Sequence, residues 1–247
     1  MSNSVRFLTS VCIVLALAAP VGAQSLARAS ISVNGSYQTS TTEFDDGFTF
    51  TRDQEGGRTD STYPIEAGFA FDVGGGVRLW GRLGAGVAVT RFVRDGIAQT
   101  TSSIPHPLYF AQNRTVEGDS PDIRREETGI HIQAQFQLPR IGPLDVTVMA
   151  GPSILNVTQA LVTDVNYTEE YPYDTATFVG VDSRRVKGSA TGFNVGADVR
   201  WMFSRHIGVG GVVRYTGATV DLDPIDNRTV SVDAGGTQVG VGVRLAF

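Results

Sequence analysis

From Val239 to Phe247 the chain alternates without a break. Val239, Val241, Val243, Leu245 and Phe247 are apolar, and Gly240, Gly242, Arg244 and Ala246 fall between them. Successive side chains of a strand point to opposite faces, so period-two alternation marks a strand with one apolar and one polar or small face. The same rhythm recurs along most of the chain. It restricts the fold to an antiparallel sheet protein whose strands each present one apolar side.

Seven further segments carry the pattern. Ala29 to Thr39 sets Ile31, Val33 and Tyr37 against Ser30, Ser32, Asn34 and Ser36. Pro64 to Trp80 follows, then Leu83 to about Val89, Gly129 to Leu138, Leu144 to about Val162, Phe193 to Trp201, and Ile207 to Thr216. With the closing segment this predicts eight strands. Short turns join the second strand to the third, the fourth to the fifth, and the sixth to the seventh. Long polar links, roughly 41–61, 95–125, 163–187 and 221–228, follow the odd-numbered strands.

At the other end of the chain, Arg6 precedes the apolar run Val11 to Ala19, then Pro20 and the small-residue site Val21-Gly22-Ala23. This is the pattern of a secretory signal peptide cleaved near Ala23, and the run is too short for a membrane helix. The expected domains are therefore 1–23, signal peptide, and 24–247, one barrel domain. Cys12, the sole cysteine, lies within the leader, so the mature chain forms no disulfide and offers no thiol. After residue 23 no apolar run reaches helix length, which excludes a helical membrane protein. A net charge of −5 spread along the chain gives no footprint for nucleic acid.

Taken together, the leader, the alternation of long and short connections and the closing strand ending on Phe247 resemble the small eight-stranded outer-membrane β-barrels of the OmpA-like and OmpW-like kind. The resemblance implies an all-β, antiparallel, up-and-down transmembrane barrel with long loops outside and both termini periplasmic. In that family the terminal aromatic and the apolar residues before it are read by the barrel-assembly machinery. Here they are Val243, Leu245 and Phe247. The expected partners are outer-membrane lipid, lipopolysaccharide, that machinery and an unknown extracellular ligand, and the protein is expected to be a monomer. A soluble lipocalin-like barrel is the structural alternative; it would reverse the two faces.

The energetics of a bilayer choose between them. An arginine facing lipid at the midplane would cost about 2–4 kcal/mol, so charges should occupy the inward parity. Glu66, Asp72, Arg78, Asp145, Asp198, Arg200, Arg214 and Arg244 all do. A narrow lumen demands that they pair. Asp198 is expected to meet Arg200 or Arg214, with Glu66 and Asp72 reaching Arg244 or Arg78. Arg91 breaks the rule: either its strand has left the hydrocarbon there or a bulge has shifted the register.

Little in the sequence calls for catalysis. His106, His131 and His206 lie far apart and have no metal-ligand spacing. Gly74-Gly75-Gly76 lacks the lysine and helix of a phosphate loop. Ser102, Ser103 and His106 lie near a rim position, where outer-membrane enzymes carry Ser/His or Asp/His sites, without a recognisable elbow. No catalytic, cofactor or metal residue is assigned. Three functions stay open. The first is a structural or surface-interaction barrel that displays its loops. The second is a narrow channel for small or apolar solutes, helped by inward glycines such as Gly84, Gly196, Gly210 and Gly242. The third is a rim-site enzyme.

Overall fold

The computed structural model describes residues 29–39, 42–139, 144–223 and 228–247. The predicted signal peptide lies outside them. Ten strands run in chain order: β1 (Ala29–Gln38), β2 (Thr42–Arg52), β3 (Glu55–Ile65), β4 (Gly68–Trp80), β5 (Leu83–Pro105), β6 (Asn113–Gln137), β7 (Leu144–Glu169), β8 (Ala176–Met202), β9 (Ile207–Leu222) and β10 (Val230–Ala246). All pairings are antiparallel. β1 sits between β4 and β10, and the additional β5–β6 pairing closes the set. Eight strands, all but β2 and β3, therefore close a ring over the lower part of their length; the β6–β7 pairing stops at Arg125↔Gln159 and the β8–β9 pairing at Phe193↔Gly217. The closing seam holds Val33 opposite Val243 and Ile31 opposite Leu245. The amide of Phe247 donates to the carbonyl of Ala29 at 2.8 Å.

Strand number needs one correction. The segment expected as a polar link over 41–61 is the β2–β3 hairpin, whose inner strand adds to β5 between Thr62↔Gln99 and Arg58↔Ser103. The links expected over 95–125 and 163–187 are likewise mostly strand. β5 and β6 pair from Leu83↔Phe136 out to Pro105↔Asn113, and β7 and β8 from Leu144↔Trp201 out to Glu169↔Ala176. β7 has 26 residues, whereas about 10 suffice to cross a bilayer. The surplus stands beyond it.

The reason these segments read as links is an exchange of faces. Along β7, Val146, Val148 and Ile154 point outward while Asp145, Thr147 and Ser153 are buried inside. Beyond Ile154 the parity is unchanged but the chemistry swaps: Leu155 and Val157 are buried, and Asn156 is exposed. β9 repeats this, with Val213 and Tyr215 out and Arg214 in, then Val220 and Leu222 in and Thr219 and Asp221 out. Beyond the exchange the strand extensions enclose an apolar core built from Tyr63, Ile123, Leu155, Val157, Leu161, Val220, Leu222 and Val232, with Phe44 and Phe48 of β2 packed on it. A second cluster, Ile104, Val116 and Val165, continues it outward.

Below the exchange the outer wall is apolar. Phe69 is 82% exposed, Val241 71% and Trp80 81%. Aromatic pairs mark the upper border, Tyr37 with Phe69 and Phe193 with Tyr215, and Trp201 with Phe203 the lower one. At about 3.3 Å per residue and a tilt of about 40°, the stretch from Phe69 to Trp80 rises about 28 Å, the height of a bilayer's hydrocarbon. Arg91 lies opposite Phe71 near the upper border of this band. It is exposed and pairs with Glu126 at 3.0 Å, and the β4–β5 register around it is regular, so no bulge shifts it.

Candidate functional site

Within the apolar band the lumen is crossed by one continuous chain of polar contacts. Arg214 of β9 donates to Asp72 of β4 at 2.5 Å, and Asn34 of β1 donates to the other oxygen of Asp72 at 2.6 Å. The Asn34 carbonyl oxygen accepts from Arg244 of β10 at 2.5 Å. Arg244 grips Asp198 of β8 through Nη2 and Nε, at 2.6 and 3.0 Å. Asp198 also meets Arg200 Nε at 3.3 Å, and Arg200 reaches Thr147 of β7. Six strands contribute. Burial leaves Asp72 1%, Arg244 2% and Arg214 3% exposed. Charges so deep are tolerated only when paired and hydrogen-bonded, as these are.

Two further layers lie above it. In the first, His131 of β6 stands between Thr90 Oγ1 at 3.0 Å and Ser153 Oγ at 2.8 Å. Asn194 joins that serine to Gln133, at 2.9 and 3.0 Å. In the second, at the exchange of faces, Arg125 donates to Glu127 at 2.6 Å and to the carbonyl of Asp233 at 2.7 Å. Gly235 has φ +95°, open to glycine and strained for other residues. That backbone conformation lets its N–H meet Glu127 at 3.0 Å while its carbonyl accepts from Gln38 at 2.6 Å.

The predicted lumen set divides. Asp72, Asp198, Arg200, Arg214 and Arg244 come together, though with Asp72 on Arg214 and not on Arg244 or Arg78. Arg78 and Asp145 sit lower, both hydrogen-bonded to Gln137. Glu66 does not belong: it is exposed in the two-residue break between β3 and β4 and pairs with Arg94. That break interrupts the parity that seemed to carry Glu66 inward. Sequence reasoning missed Asn34, His131, Gln133, Asn194, Arg125 and Glu127. The signal for most was present, a polar residue on the inward parity of a strand, but neutral amides do not announce a partner and 125–127 lay at the edge of a supposed link. The inward glycines are not empty space either. A side chain at Gly210 would meet Arg244, and at Gly86 or Gly76 it would meet Gln135.

At the terminal end, where the short turns and Phe247 lie, a cavity of about 620 Å³ opens into the lumen, lined by Arg78, Arg82, Asp145, Arg200 and Arg205 among others. Above it the ion-pair layer leaves only about 30 Å³.

The distal end is locked differently. His106 Nδ1 accepts from the amides of Leu108 and Tyr109 at 3.1 and 3.2 Å, fixing the β5–β6 tip. Arg114 ties that tip to the β7–β8 tip, donating to Glu169 at 2.6 Å, to the Tyr173 carbonyl at 2.9 Å and to the Pro105 carbonyl at 3.0 Å. Phe110 and Tyr171 remain 74% and 79% exposed at the apex. Ser102 is fully buried and bonded to Thr59 at 2.8 Å, and Ser103 accepts from Asn113. His106, with its acceptor nitrogen engaged by backbone, forms no pair with either serine. Among the described residues no group of three or more His, Cys, Asp or Glu could hold a metal ion. Three titratable groups here, Tyr63, Asp46 and Tyr167, are raised by burial. Tyr63 is pushed up to about 12, its oxygen accepting the Val162 amide at 2.8 Å. Asp46 is raised too, against the pull of Arg228 at 3.1 Å.

Comparison with known proteins gives the family. The fold resembles the outer membrane protein OprG of Pseudomonas aeruginosa, with a TM-score of 0.51 at 8% identity over 92% of this chain and 99% of that one. Neisserial surface protein A aligns at 13% identity and a TM-score of 0.43 over 92% and 100% of the chains. The outer membrane protease OmpT of Escherichia coli aligns at 9% and 0.43 over 88% and 97%. At such identities the likeness speaks of fold alone. None of the curated proteins compared matches the sequence. The model of the outer membrane protein beta-barrel domain matches residues 9–244, nearly the whole length, and the chain belongs to that family.

Proposed function

We propose that this barrel works without catalysis, as a closed membrane anchor that holds a rigid interaction surface above the outer membrane. In this reading residues 1–23 are removed on export, both termini face the periplasm, the barrel is a monomer and Val243, Leu245 and Phe247 serve the assembly machinery. The observation that carries it is the distal half. Its strands do not dissolve into loops but enclose an apolar core of their own, and Arg114 and His106 brace two tips that leave Leu108, Phe110 and Tyr171 exposed. Ordering so much chain beyond the bilayer costs backbone entropy of about 1–2 kcal/mol per residue before packing offsets it. A protein needing only an anchor gains nothing from it; a presented surface does. The test is to replace Pro107–Gln112 by a two-residue turn. The barrel should still migrate as heat-modifiable, while cells producing it lose adhesion to extracellular-matrix or cell surfaces. Unchanged adhesion would remove the tips from the function.

A narrow solute path is the second reading, favoured by the cavity at the terminal end. It requires Asp72–Arg214 and Asp198–Arg244 to part, and planar-bilayer conductance of the refolded chain measures whether they do.

A further inference from the structure

The vestibule of about 620 Å³ at the terminal end is not part of the distal surface. It is blind, because the Asp72–Arg214 and Asp198–Arg244 pairs close the lumen above it. Among the described residues four guanidinium groups line it, from Arg78, Arg82, Arg200 and Arg205. Their charge is largely uncompensated. Arg78 is held by the neutral side chain of Gln137. Arg200 shares Asp198 with Arg244, so that carboxylate serves two cations. Among the described residues no carboxylate lies within ion-pair distance of Arg82 or Arg205, both exposed on the turns that frame the mouth. Among the described residues lining the vestibule the one acidic side chain is Asp145, already bonded by Gln137 at 3.4 Å.

An arginine fork matches the paired oxygens of phosphate and carboxylate, and several forks around a recess with low-dielectric walls concentrate field on whatever enters. A recess this size accepts a ligand of drug-like dimensions. We infer that the vestibule is a binding site for a small polyanion, a molecule carrying two or more phosphate or carboxylate groups, held by Arg82 and Arg205 at the mouth and Arg78 and Arg200 deeper in. Because the lumen is shut above, the ligand is retained there and not conducted. That the ligand comes from the periplasm rests on the orientation proposed above.

The experiment is calorimetric titration of the refolded full-length barrel in zwitterionic nanodiscs, which expose both ends. Pyrophosphate and propane-1,2,3-tricarboxylate are the two probes. Saturable binding of either is expected, weakening as salt rises; the better probe names the ligand's acidic group. The double variant R82Q/R205Q, placed on exposed turns, should keep heat-modifiable migration and lose at least about tenfold in affinity, roughly 1.4 kcal/mol. A second double variant, R184Q/K187Q on the exposed distal stretch of β8, should bind as the parent does. No saturable binding of either probe, or equal affinity in R82Q/R205Q, overturns the proposal. Labelling of R205C by an impermeant maleimide, in intact cells and after outer-membrane permeabilisation, tests orientation separately. Labelling of intact cells would sink the periplasmic placement and leave the site itself standing.

Discussion

The two halves of this barrel are built on the same strands with opposite chemistry. In the lower half the ring faces hydrocarbon, so apolar side chains point outward and the interior holds Asp72, Asp198, Arg214 and Arg244 in mutual contact. In the upper half the extended strands face water, and Leu155, Val157, Leu161, Val220 and Leu222 fill the inside. Hydrogen-bond pairing continues through the change, and β7 keeps its parity across it. What differs is the solvent. A strand does not specify which face is apolar; it specifies that the faces differ, and the medium selects between them. The consequence is two kinds of stability. The lower half depends on satisfied polar networks, which fail badly when one member goes. The upper half depends on packing, which fails by leaving a cavity.

The largest expected effect follows from the first kind. Asp198→Ala removes the carboxylate shared by Arg244 and Arg200, leaving buried cations without their counter-ion; the cost is about 3–5 kcal/mol, read from urea unfolding in vesicles. A loss below about 1 kcal/mol would mean water already screens the layer. The second kind is tested by a pair. Leu161→Ala, in the distal core, should cost about 2–5 kcal/mol through transfer and cavity terms. Val241→Ala, facing lipid, should cost under about 1 kcal/mol, because acyl chains refill the gap and no cavity persists. Equal costs at the two sites would deny that the halves pack against different media. Val241→Arg, by contrast, should destabilise by about 2–4 kcal/mol.

A pH effect distinguishes the halves more gently. Tyr63 is held near 12 by burial, whereas an unfolded tyrosine ionises at about 10. The folded state therefore binds this proton more tightly than the unfolded one. Its stabilising contribution is complete below the unfolded value and is lost as pH rises through the folded one. The distal half should thus loosen in strong alkali. Tyrosinate absorbance should show late-titrating groups, Tyr63 the most delayed, and Tyr63→Phe should remove the latest of them and blunt the alkaline loss. A parent in which all tyrosines ionise together near the ordinary value would contradict the burial.

How legible all this was depends on which half is considered. The apolar-out rhythm of Val239 to Phe247, or of Phe193 to Trp201, is plain because alternate residues are large and uniform. From it came the eight-stranded ring and the inward place of Asp72, Asp198, Arg214 and Arg244. The distal strands look like links in the sequence because their inward positions mix small and polar residues, such as Ala98, Thr100 and Ser102, with few large ones, and their outward positions are polar. Alternation between small and polar residues barely registers as alternation. Pairing was harder still. That Asp72 meets Arg214, and Asn34 bridges it to Arg244, depends on stagger around the ring, a property of closure that no single strand contains. The terminal vestibule was not legible: Arg82 and Arg205 lie on turns about 120 positions apart, and only the shared end of a closed ring makes them neighbours.

The smallest expected effect locates the frontier itself. Arg91 is one register step beyond Val89, whose side chain belongs to the apolar wall, and it pairs with Glu126 in the open. If the frontier lies between them, Arg91 is already in water and headgroup. Exposed pairs contribute about 0–1 kcal/mol, so Arg91→Gln should shift unfolding by less than that, and added salt should shrink the shift further. Were Arg91 within hydrocarbon, removing its charge would stabilise the barrel by about 2–4 kcal/mol instead. The sign of the change, more than its size, decides. A clear gain in stability would move the frontier upward past β5 residue 91 and reassign the Arg91–Glu126 pair, with Arg124 and Asp95 beside it, to the membrane.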